Sequence, residues 1–595
     1  MDPGALLAKR KGGSQGRDPE EAILTDTVHG PPSPQPSFLP ERATLFATYA
    51  LAMLLFFRVP LLSGFDLGFG DRGDGLIEIA ILEHWRNVLT GYSHWATTGY
   101  FHPYTGTLGY NDGYFLFGLV YSFWRLFADP FLADTLNVFT FKTIGFFAAY
   151  HLVSRSLGWG HRSGLFVALM FTIASGLAAQ VGHAQLHIIA LLPLAMTLVI
   201  AIVRAERAGQ RMRSRIAAVG LAALLAAWLM TAYYLAWFGI LFSAIYVLFY
   251  VVLALPLRPR TFLRAVRPHI LTALTGLLAF SLFLIPFFVT YLPKQRETGG
   301  HGYWDHAFYQ ANPIDLINVG ADNYLWGWIF RLFHSLFSNR SGPAYIIDGE
   351  HVSGFPLLLF FLILVAAGRV LAGRGAVPGQ PVAPELRALA LALIMSWLLT
   401  LRLFGHSLWW LVYEAVPGAS GIRVVLRYQL FLILPALLLV AAAYRTQAQR
   451  LIRTRPMLTG ALLALLVGEQ LNGASVAQLS RSLHRTALWA VPAPPPACRV
   501  FYVVATRRAE RFFGNESTDS LYPHNVDAMF LAERWRLPTI NGFSTFNPPD
   551  WQFAYPLAAD YDQRVATYAQ NHKLRGLCRL DMRETRPWKM MPDPR

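Results

Sequence analysis

Six acidic residues lie in the polar stretch 64–113, directly after the first hydrophobic run of the chain. They are Asp66, Asp71, Asp74, Glu78, Glu83 and Asp112. If the chain is helical here, the i, i+3, i+7 spacing of Asp71, Asp74 and Glu78 puts them on one face. Carboxylates just outside an apolar run can bind a metal ion, accept a proton from a hydroxyl group, or simply face water on an amphipathic interfacial helix. The rest of the chain decides between these three roles.

The composition is that of a membrane protein. Of the 595 residues, 54% are hydrophobic and 14% are charged, and the mean hydropathy is +0.36. Soluble domains carry about 25% charged residues. The net charge of +16 would suggest nucleic acid in a soluble chain. Here most arginines lie in short loops between apolar runs, as the positive-inside rule requires, so we expect no nucleic-acid partner.

The hydrophobic runs predict an all-α polytopic membrane protein of about 11 or 12 helices. Residues 1–42 are polar and proline-rich, which is typical of a disordered cytoplasmic tail. Residues 43–471 form the predicted transmembrane domain, with long external loops at 64–113 and 293–353. Residues 472–595 are predicted to form a small external α/β or α+β domain.

Arginine clusters predict the orientation. Residues 204–215, 258–267 and 445–455 should be cytoplasmic, so the alternate loops and the C-terminal domain should face out. Twelve full spans would instead return the C-terminal region to the inside. The run Tyr114–Phe127 has 14 residues, which is short for a crossing, so we expect it to be re-entrant or interfacial.

The chain has two cysteines, Cys498 and Cys578, both in the C-terminal domain. Cys498 precedes the strand-like run from Arg499, and Cys578 lies in a second apolar stretch. In an oxidising compartment the two can form a disulfide, and the alternative is a pair of buried thiols.

Several motifs, in their order along the chain, carry a family resemblance. They are GDRGDGLIEIAILEHW from Gly70, FHPYTGTLGYND from Phe101, GHAQLHIIALLPLAM from Gly182, IRVVLRY from Ile422 and LPTINGFSTFNPPDW from Leu537. Together these motifs resemble a bacterial GT-C-fold integral-membrane glycosyltransferase, the class that uses polyprenyl-phosphate-linked sugar donors. The resemblance covers residues 65–581 and implies a bacterial inner-membrane protein with its active site on the external side.

The resemblance also implies roles for the acids of the first external loop. Asp74 is the best match to the acidic residue that acts as general base or metal ligand, followed by Asp71, and Asp112 is a candidate second acid. Attack of a hydroxyl on an anomeric carbon needs a positioned carboxylate. The departing polyprenyl phosphate needs a cation or metal, so Mg²⁺ or Mn²⁺ held by Asp74 and Asp112 is one option.

Three further residue pairs are candidates for substrate binding. His183 and His187 are spaced i, i+4 in an external loop and can bind a metal or the donor phosphate, or pack at the interface. Arg423 and Arg427 have the same spacing on the external side, where topology does not call for arginine, and a guanidinium suits a lipid phosphate. Glu350 and His351 end the second long loop, where such enzymes place a second functional acid.

The sequence therefore predicts transfer of a sugar from a polyprenyl-phosphate donor to an external glycan or lipid acceptor. A transporter or flippase for a lipid-linked or polar solute is the first alternative. It would need polar residues near the midplane of several spans, and Glu469 is the clearest acid within a run. A catalytically silent scaffold for envelope assembly is the second alternative.

Overall fold

Helices form over all the hydrophobic runs predicted above. The computed structural model describes residues 41–180, 182–254, 266–374, 381–473, 479–505 and 516–593. The helices of the first half are α1 Glu41–Phe56, α2 Arg58–Leu62, α3 Asp74–Leu89, α4 Phe115–Trp124, α5 Pro130–His151, α6 His161–Thr172, α7 Ser175–Ala179, α8 Leu192–Arg207, α9 Arg211–Thr231 and α10 Tyr233–Ala254. Those of the second half are α11 Ile270–Phe283, α12 Ile285–Thr298, α13 Tyr303–Phe308, α14 Gly327–Phe337, α15 Leu357–Leu371, α16 Pro384–Thr400, α17 Trp409–Ala415, α18 Tyr428–Thr454, α19 Pro456–Gly468, α20 Arg481–Trp489, α21 Glu516–Trp535 and α22 Tyr561–Asn571.

By length and composition, six helical segments of the described chain can cross a membrane. They are Pro130–Ser156, His161–Ala179, Ala184–Arg207, Arg211–Thr231, Tyr233–Ala254 and Val425–Thr454. The pair Arg267–Phe283 and Ile285–Thr298, bent by 55°, makes a seventh if it counts as one span. Pro286 lies at the bend, and its ring nitrogen cannot donate the hydrogen bond that would continue the first helix. The prediction of a polytopic helical protein is confirmed.

Fewer helices reach spanning length than there are hydrophobic runs. Helix α4 has 10 residues, α15 has 15 and α19 has 13. At a rise of about 1.5 Å per residue, α4 covers roughly 15 Å, or half the hydrocarbon core. That length fits the re-entrant or interfacial helix predicted at Tyr114–Phe127, whose placement in the membrane stays a prediction.

The arginines of the first predicted cytoplasmic cluster lie where α8 ends and α9 begins. Helix α8 ends at Arg207 and α9 begins at Arg211, while the Arg204 guanidinium donates a hydrogen bond to the carbonyl of Ser156. The Glu206 carboxylate lies 2.8 Å from the His269 ring, just before α11. This basic end is therefore shared by α5, α8, α9 and α11. Arg258, Arg260 and Arg264 lie outside the described residues, as does the predicted tail up to residue 40.

The C-terminal region is a small α/β unit, as predicted. Strand β5 Val500–Ala505 pairs in parallel with β6 Leu577–Asp581, and β7 Trp588–Met590 is antiparallel to β6. Parallel neighbours need a crossover, and α21 and α22 lie in the chain between them. Cys498 and Cys578 form a disulfide beside this sheet, with 5.7 Å between their Cα atoms. Residues 47–595 nevertheless form one compact unit.

Short strands complete the fold. Strand β1 Leu67–Gly68, in the first loop, pairs antiparallel with β4 Leu479–Ser480 at the start of the C-terminal region. Strands β2 Arg402–Leu403 and β3 His406–Ser407 form a hairpin after α16.

Glu469 at the end of α19 is buried, and its carboxylate accepts the backbone N–H groups of Leu358 and Leu359. It thereby caps the start of α15 and satisfies N–H groups that have no partner within that helix.

Helix α3 is enclosed by protein on most sides. Its acids Glu78 and Glu83 are both buried, so it is not an interfacial helix with a solvated acidic face. The helix begins at Asp74, so Asp71 precedes it, and the expected common face of Asp71, Asp74 and Glu78 does not form. Helix α21 packs along α3, and Arg72 and Asp527 form a buried ion pair between the two segments.

Candidate functional site

A cavity of about 820 Å³ opens at the end of the helices opposite the arginine loops. Helix α9 runs from Arg211 at the basic end to Leu229 in the cavity wall. The wall combines charged and apolar side chains. Its acidic, basic and histidine side chains are Asp74, Asp112, His183, Lys294, His301, Arg423 and Arg427. The apolar part includes Ile77, Ile81, Leu229, Trp237, Ile240, Phe280, Leu284, Phe287, Phe288 and Leu292.

Asp74 occupies the first turn of α3, where the positive end of the helix dipole favours a carboxylate. Its side chain is 39% exposed, and its Oδ2 lies 3.3 Å from the Nδ1 of His183. Asp71 lies just before the helix, and its Oδ1 accepts the backbone N–H of Gly73 at 2.8 Å. Burial and the neighbouring Asp74 charge raise the pKa of the Asp71 carboxyl. The two acids are therefore neighbours with different surroundings.

Asp112 reaches the same cavity from the end of the first loop. Its Oδ1 accepts the backbone N–H of Tyr233 at 3.1 Å, which ties the loop to the start of α10. Burial raises the pKa of the Asp112 carboxyl above its usual value. The first loop thus brings both Asp74 and Asp112 to one cavity, as the resemblance implies.

His183 connects the first loop to the second. Its Nδ1 faces Asp74, and its Nε2 lies 3.1 Å from the Oε1 of Glu350. Arg427 donates hydrogen bonds from Nε and Nη2 to the two oxygens of the Glu350 carboxylate. Burial alone would raise the pKa of Glu350, but the charges of Arg427 and His183 outweigh it and hold this pKa well below its usual value. Asp74, His183, Glu350 and Arg427 form one continuous chain of polar contacts.

Arg423 differs from Arg427 in having no carboxylate partner among the described residues. Its backbone N–H donates to the Tyr234 hydroxyl at 2.8 Å, and its guanidinium lies 5.5 Å from the centre of the Tyr309 ring. The side chain is half-buried in the cavity wall. Contacts with Tyr234 and Tyr309 therefore fix Arg423 in the wall, while no acid in the described part of the chain neutralises its positive charge.

Four of the predicted residues are not part of the cavity wall: Asp71, His187, Glu350 and His351. Asp71 and Glu350 adjoin it through Asp74 and His183, whereas the two histidines lie further away. His187 is buried against the rings of Phe56 and Phe69, because the chain between it and His183 forms a 3₁₀ helix, Ala184–Leu191. The His351 ring contacts the buried Asp315 carboxylate at 2.8 Å. His187 is thus separated from His183 in the cavity wall, and His351 contacts Asp315 rather than the His183–Glu350–Arg427 contacts.

The described residues do not supply a complete metal site. Asp74 and Asp112 both line the cavity. However, no group of three or more His, Cys, Asp or Glu side chains in the described chain is arranged to hold a metal ion. The predicted option of a cation bound by Asp74 and Asp112 therefore has two carboxylate candidates and no third ligand of these types.

The sequence reasoning missed several lining residues. The Lys294 ammonium donates to the Tyr110 hydroxyl at 3.0 Å and to Glu297 at 2.9 Å, and it lies near the end of α12. The signal available was a lysine directly after an apolar run. Tyr522 and the segment 543–546 bring the C-terminal region into the cavity wall. Within that region's NGFSTF motif, Asn541 is buried and donates to Asn525, while the aromatic side chains that follow line the cavity.

No protein-family model matches the chain, and no curated protein sequence matches it. Solved structures match it at low identity. The oligosaccharyltransferase of Archaeoglobus fulgidus is 12% identical with a TM-score of 0.47, over 90% of this chain and 69% of that one. The arabinofuranosyltransferase AftD from Mycobacteria is 15% identical with a TM-score of 0.43, over 79% of this chain but only 30% of that one.

A third match is ArnT from Cupriavidus metallidurans, at 13% identity and a TM-score of 0.37, over 91% of this chain and 93% of that one. These chains are membrane glycosyltransferases of the GT-C fold, the class that the sequence motifs resemble. With TM-scores below 0.5 the likeness is remote, so the proposal below rests on the cavity and its side chains.

Proposed function

We propose that the protein is a membrane glycosyltransferase that moves a sugar from a polyprenyl-phosphate donor to a hydroxyl acceptor. The observation that carries the proposal is the combination of charged and apolar side chains in the lining of one cavity. A lipid-linked sugar phosphate has the same combination, because its isoprenoid chain is apolar and its phosphate and sugar are polar. Ligand sites commonly combine an apolar lining with a few polar groups that fix the orientation of the ligand.

The apolar wall lies next to the surface expected to face lipid. Leu284, Phe287 and Phe288 line the cavity from the bend between α11 and α12 onward. Neighbouring side chains of these helices, among them Leu282, Ile285 and Val289, are exposed large hydrophobic groups. A lipid chain lying along this wall would pass from the bilayer into the cavity without crossing a polar surface.

Asp74 is the acid best placed to act as the base. Asp71 and Asp112 each use a carboxylate oxygen to accept a backbone N–H group, whereas the Asp74 side chain is 39% exposed and accepts no backbone N–H group of the described residues. In the proposed reaction, an acceptor hydroxyl oxygen forms a bond to the anomeric carbon as the bond from that carbon to the phosphate oxygen breaks. The hydroxyl proton passes to Asp74, and polyprenyl phosphate leaves with the bonding electrons.

The cations of the cavity are suited to receive the departing phosphate. Arg427 is already engaged by both oxygens of Glu350, so Arg423 is the better candidate for direct contact with phosphate. A guanidinium can donate two parallel hydrogen bonds to phosphate oxygens. Arg427 and Glu350 would then hold His183 in place rather than bind the substrate.

The site would face the exterior of a bacterial inner membrane. The cavity and the arginine-rich loops lie at opposite ends of α9, and the positive-inside rule places the arginines in the cytoplasm. The proposal then puts the C-terminal region and its disulfide on the external, oxidising side. This arrangement suits a donor that is delivered across the membrane on a lipid carrier.

The test is turnover without a sealed compartment. Detergent-purified protein would be mixed with a panel of synthetic polyprenyl-phosphate monosaccharides and short glycan acceptors, and release of polyprenyl phosphate would be measured. The proposal expects release with at least one donor, and expects that release to be lost in the Asp74→Asn variant. A flippase or a silent scaffold would release none, whereas a flippase in sealed vesicles would still move the lipid between leaflets.

A further inference from the structure

Helix α14, in the second long loop, has an apolar surface that the protein covers only in part. At 3.6 residues per turn, its apolar side chains occupy an arc of about 200°. One half of the arc, formed by Phe330, Phe333 and Phe337, turns toward the protein. The other half is uncovered and consists of Trp328, Leu332 and Leu336, which are 56%, 51% and 64% exposed.

The covered half is anchored in a local core. Phe330 is fully buried in a cluster with Val319 and Ile347, and Phe333 and Trp326 pack against the same cluster. The Trp326 indole N–H also donates to the Glu469 carboxylate at 3.0 Å. Helix α14 is therefore fixed to the bundle, and its uncovered stripe has a defined direction.

The uncovered stripe repeats at i, i+4 and i+8 and is bordered by polar residues. Arg331, His334 and Ser335 occupy the remaining arc of the helix, and all three are exposed. A tryptophan on the apolar side and an arginine on the polar side are typical of helices that lie flat in the membrane interface. With 11 residues, the helix is too short to cross a membrane.

The uncovered stripe adjoins the exposed apolar surface of α19, which we expect to face lipid. The segment just before the helix lies beside the end of α19: the Tyr324 backbone N–H donates to the Leu471 carbonyl at 3.1 Å, and a Cβ atom at Gly468 would lie 3.6 Å from the Leu325 Cδ1. Helix α19 exposes Leu458, Leu462, Leu463 and Leu465. An apolar helix of this kind in a polytopic chain is solvated by lipid, so lipid adjoins the start of α14.

We propose that α14 is an interfacial helix that rests in the surface of the same bilayer, on the side where the cavity opens. Trp328, Leu332 and Leu336 insert below the headgroups, and Arg331 stays at their level. The partner is a lipid surface, and this placement does not depend on which reaction the cavity performs. It fixes the height of the second loop, which carries Glu350, relative to the bilayer.

The test uses single introduced thiols in the full-length protein in lipid nanodiscs. The two natural cysteines are joined in a disulfide, so a thiol-reactive NBD dye would label only an introduced cysteine. Leu332→Cys places the dye on the uncovered stripe, and His334→Cys, which lies about 160° around the helix from Leu332, is the matched control on the polar arc. Both positions are exposed, so neither substitution removes a buried contact.

The proposal predicts a blue-shifted NBD emission at position 332 that is quenched by lipids carrying a doxyl spin label. At position 334 it predicts water-like emission with little quenching. Equal, water-like emission at both positions would overturn the proposal. A blue shift at 332 without lipid quenching would also overturn it, because another protein surface, such as a second copy, would then cover the stripe.

Discussion

Two carboxylates flank His183, and they differ in what surrounds them. Glu350 is 15% exposed and both its oxygens accept hydrogen bonds from Arg427, whereas Asp74 is 39% exposed and open to the cavity. His183 therefore contacts both Glu350, whose two oxygens are hydrogen-bonded to Arg427, and Asp74, whose carboxylate is exposed to the cavity. The contrast separates a positioning role, which needs fixed partners, from a reactive role, which needs an unengaged oxygen.

Asp74→Asn tests the exposed acid of this pair and should have the largest effect on activity. An asparagine keeps the shape but cannot take the acceptor proton, so transfer should fall by roughly 10²- to 10⁴-fold. Single-turnover release of polyprenyl phosphate measures this loss. Asp322→Asn, an exposed acid outside the cavity wall, is the matched control and should retain full activity. Near-normal transfer by Asp74→Asn would remove its assignment as base.

Glu350→Gln tests the acid that is hydrogen-bonded to Arg427, and its main effect should be on the free energy of unfolding. It leaves the buried Arg427 without a counter-charge, which should cost about 3–5 kcal/mol. Thermal unfolding in detergent measures the change. Because the pKa of Glu350 lies below its usual value, the pair should add stability at every pH above about 4.5, and lose it only as the pH falls further. Unchanged stability at neutral pH would mean that the pair is not formed.

Arg423→Ala sharpens the comparison between the two arginines. Loss of one cationic donor to a departing phosphate typically costs about 10²-fold in rate. We expect a loss of that size in transfer, with little change in thermal stability, since Arg423 has no carboxylate partner among the described residues. Arg340→Ala, an exposed arginine elsewhere on the second loop, serves as the control. A stability loss as large as that of Glu350→Gln would show that Arg423 is structural.

Asp112→Asn should have the smallest effect and a distinct pH dependence. Burial raises the pKa of this carboxyl in the folded protein above its value in the unfolded chain. Ionisation therefore destabilises the folded state, and this destabilisation grows as the pH rises from the unfolded-state pKa to the raised one. The asparagine variant should therefore unfold at a slightly higher temperature than the wild type at neutral pH, and the gain should vanish below about pH 4. A gain that persists at low pH would point to a cause other than the charge.

The helical fold was predictable because hydrophobicity alone indicates helices in a membrane. Asp74 and Asp112 were found for a similar reason, since acids next to apolar runs stand out in the sequence. The start of α3 was not, because Gly73, the residue directly before the helix, has no side chain, and the carboxylate that accepts its backbone N–H belongs to Asp71 two residues earlier. Asp71 therefore looked like a helical partner of Asp74.

Contacts between distant segments could not be predicted from one sequence. The pairing of Glu350 with Arg427 joins residues 77 apart, and the pairing of Arg72 with Asp527 joins residues 455 apart. Neither has a local pattern. His183 and His187 were paired as binding candidates by their i, i+4 spacing, with packing as the alternative. His187 lies in the 3₁₀ helix Ala184–Leu191 and packs in the core, which the spacing alone could not indicate. Tyr522 was missed because a lone tyrosine carries no signal.

The most direct measurement is a cryo-electron microscopy structure of the protein with polyprenyl phosphate bound. The account predicts the phosphate within about 3 Å of the Arg423 guanidinium. It also predicts the lipid chain along Leu284, Phe287 and Phe288 and an open path from Asp74 to the phosphate. Lipid density at the arginine-rich end of the helices, or a phosphate bound away from both Arg423 and Asp74, would contradict it.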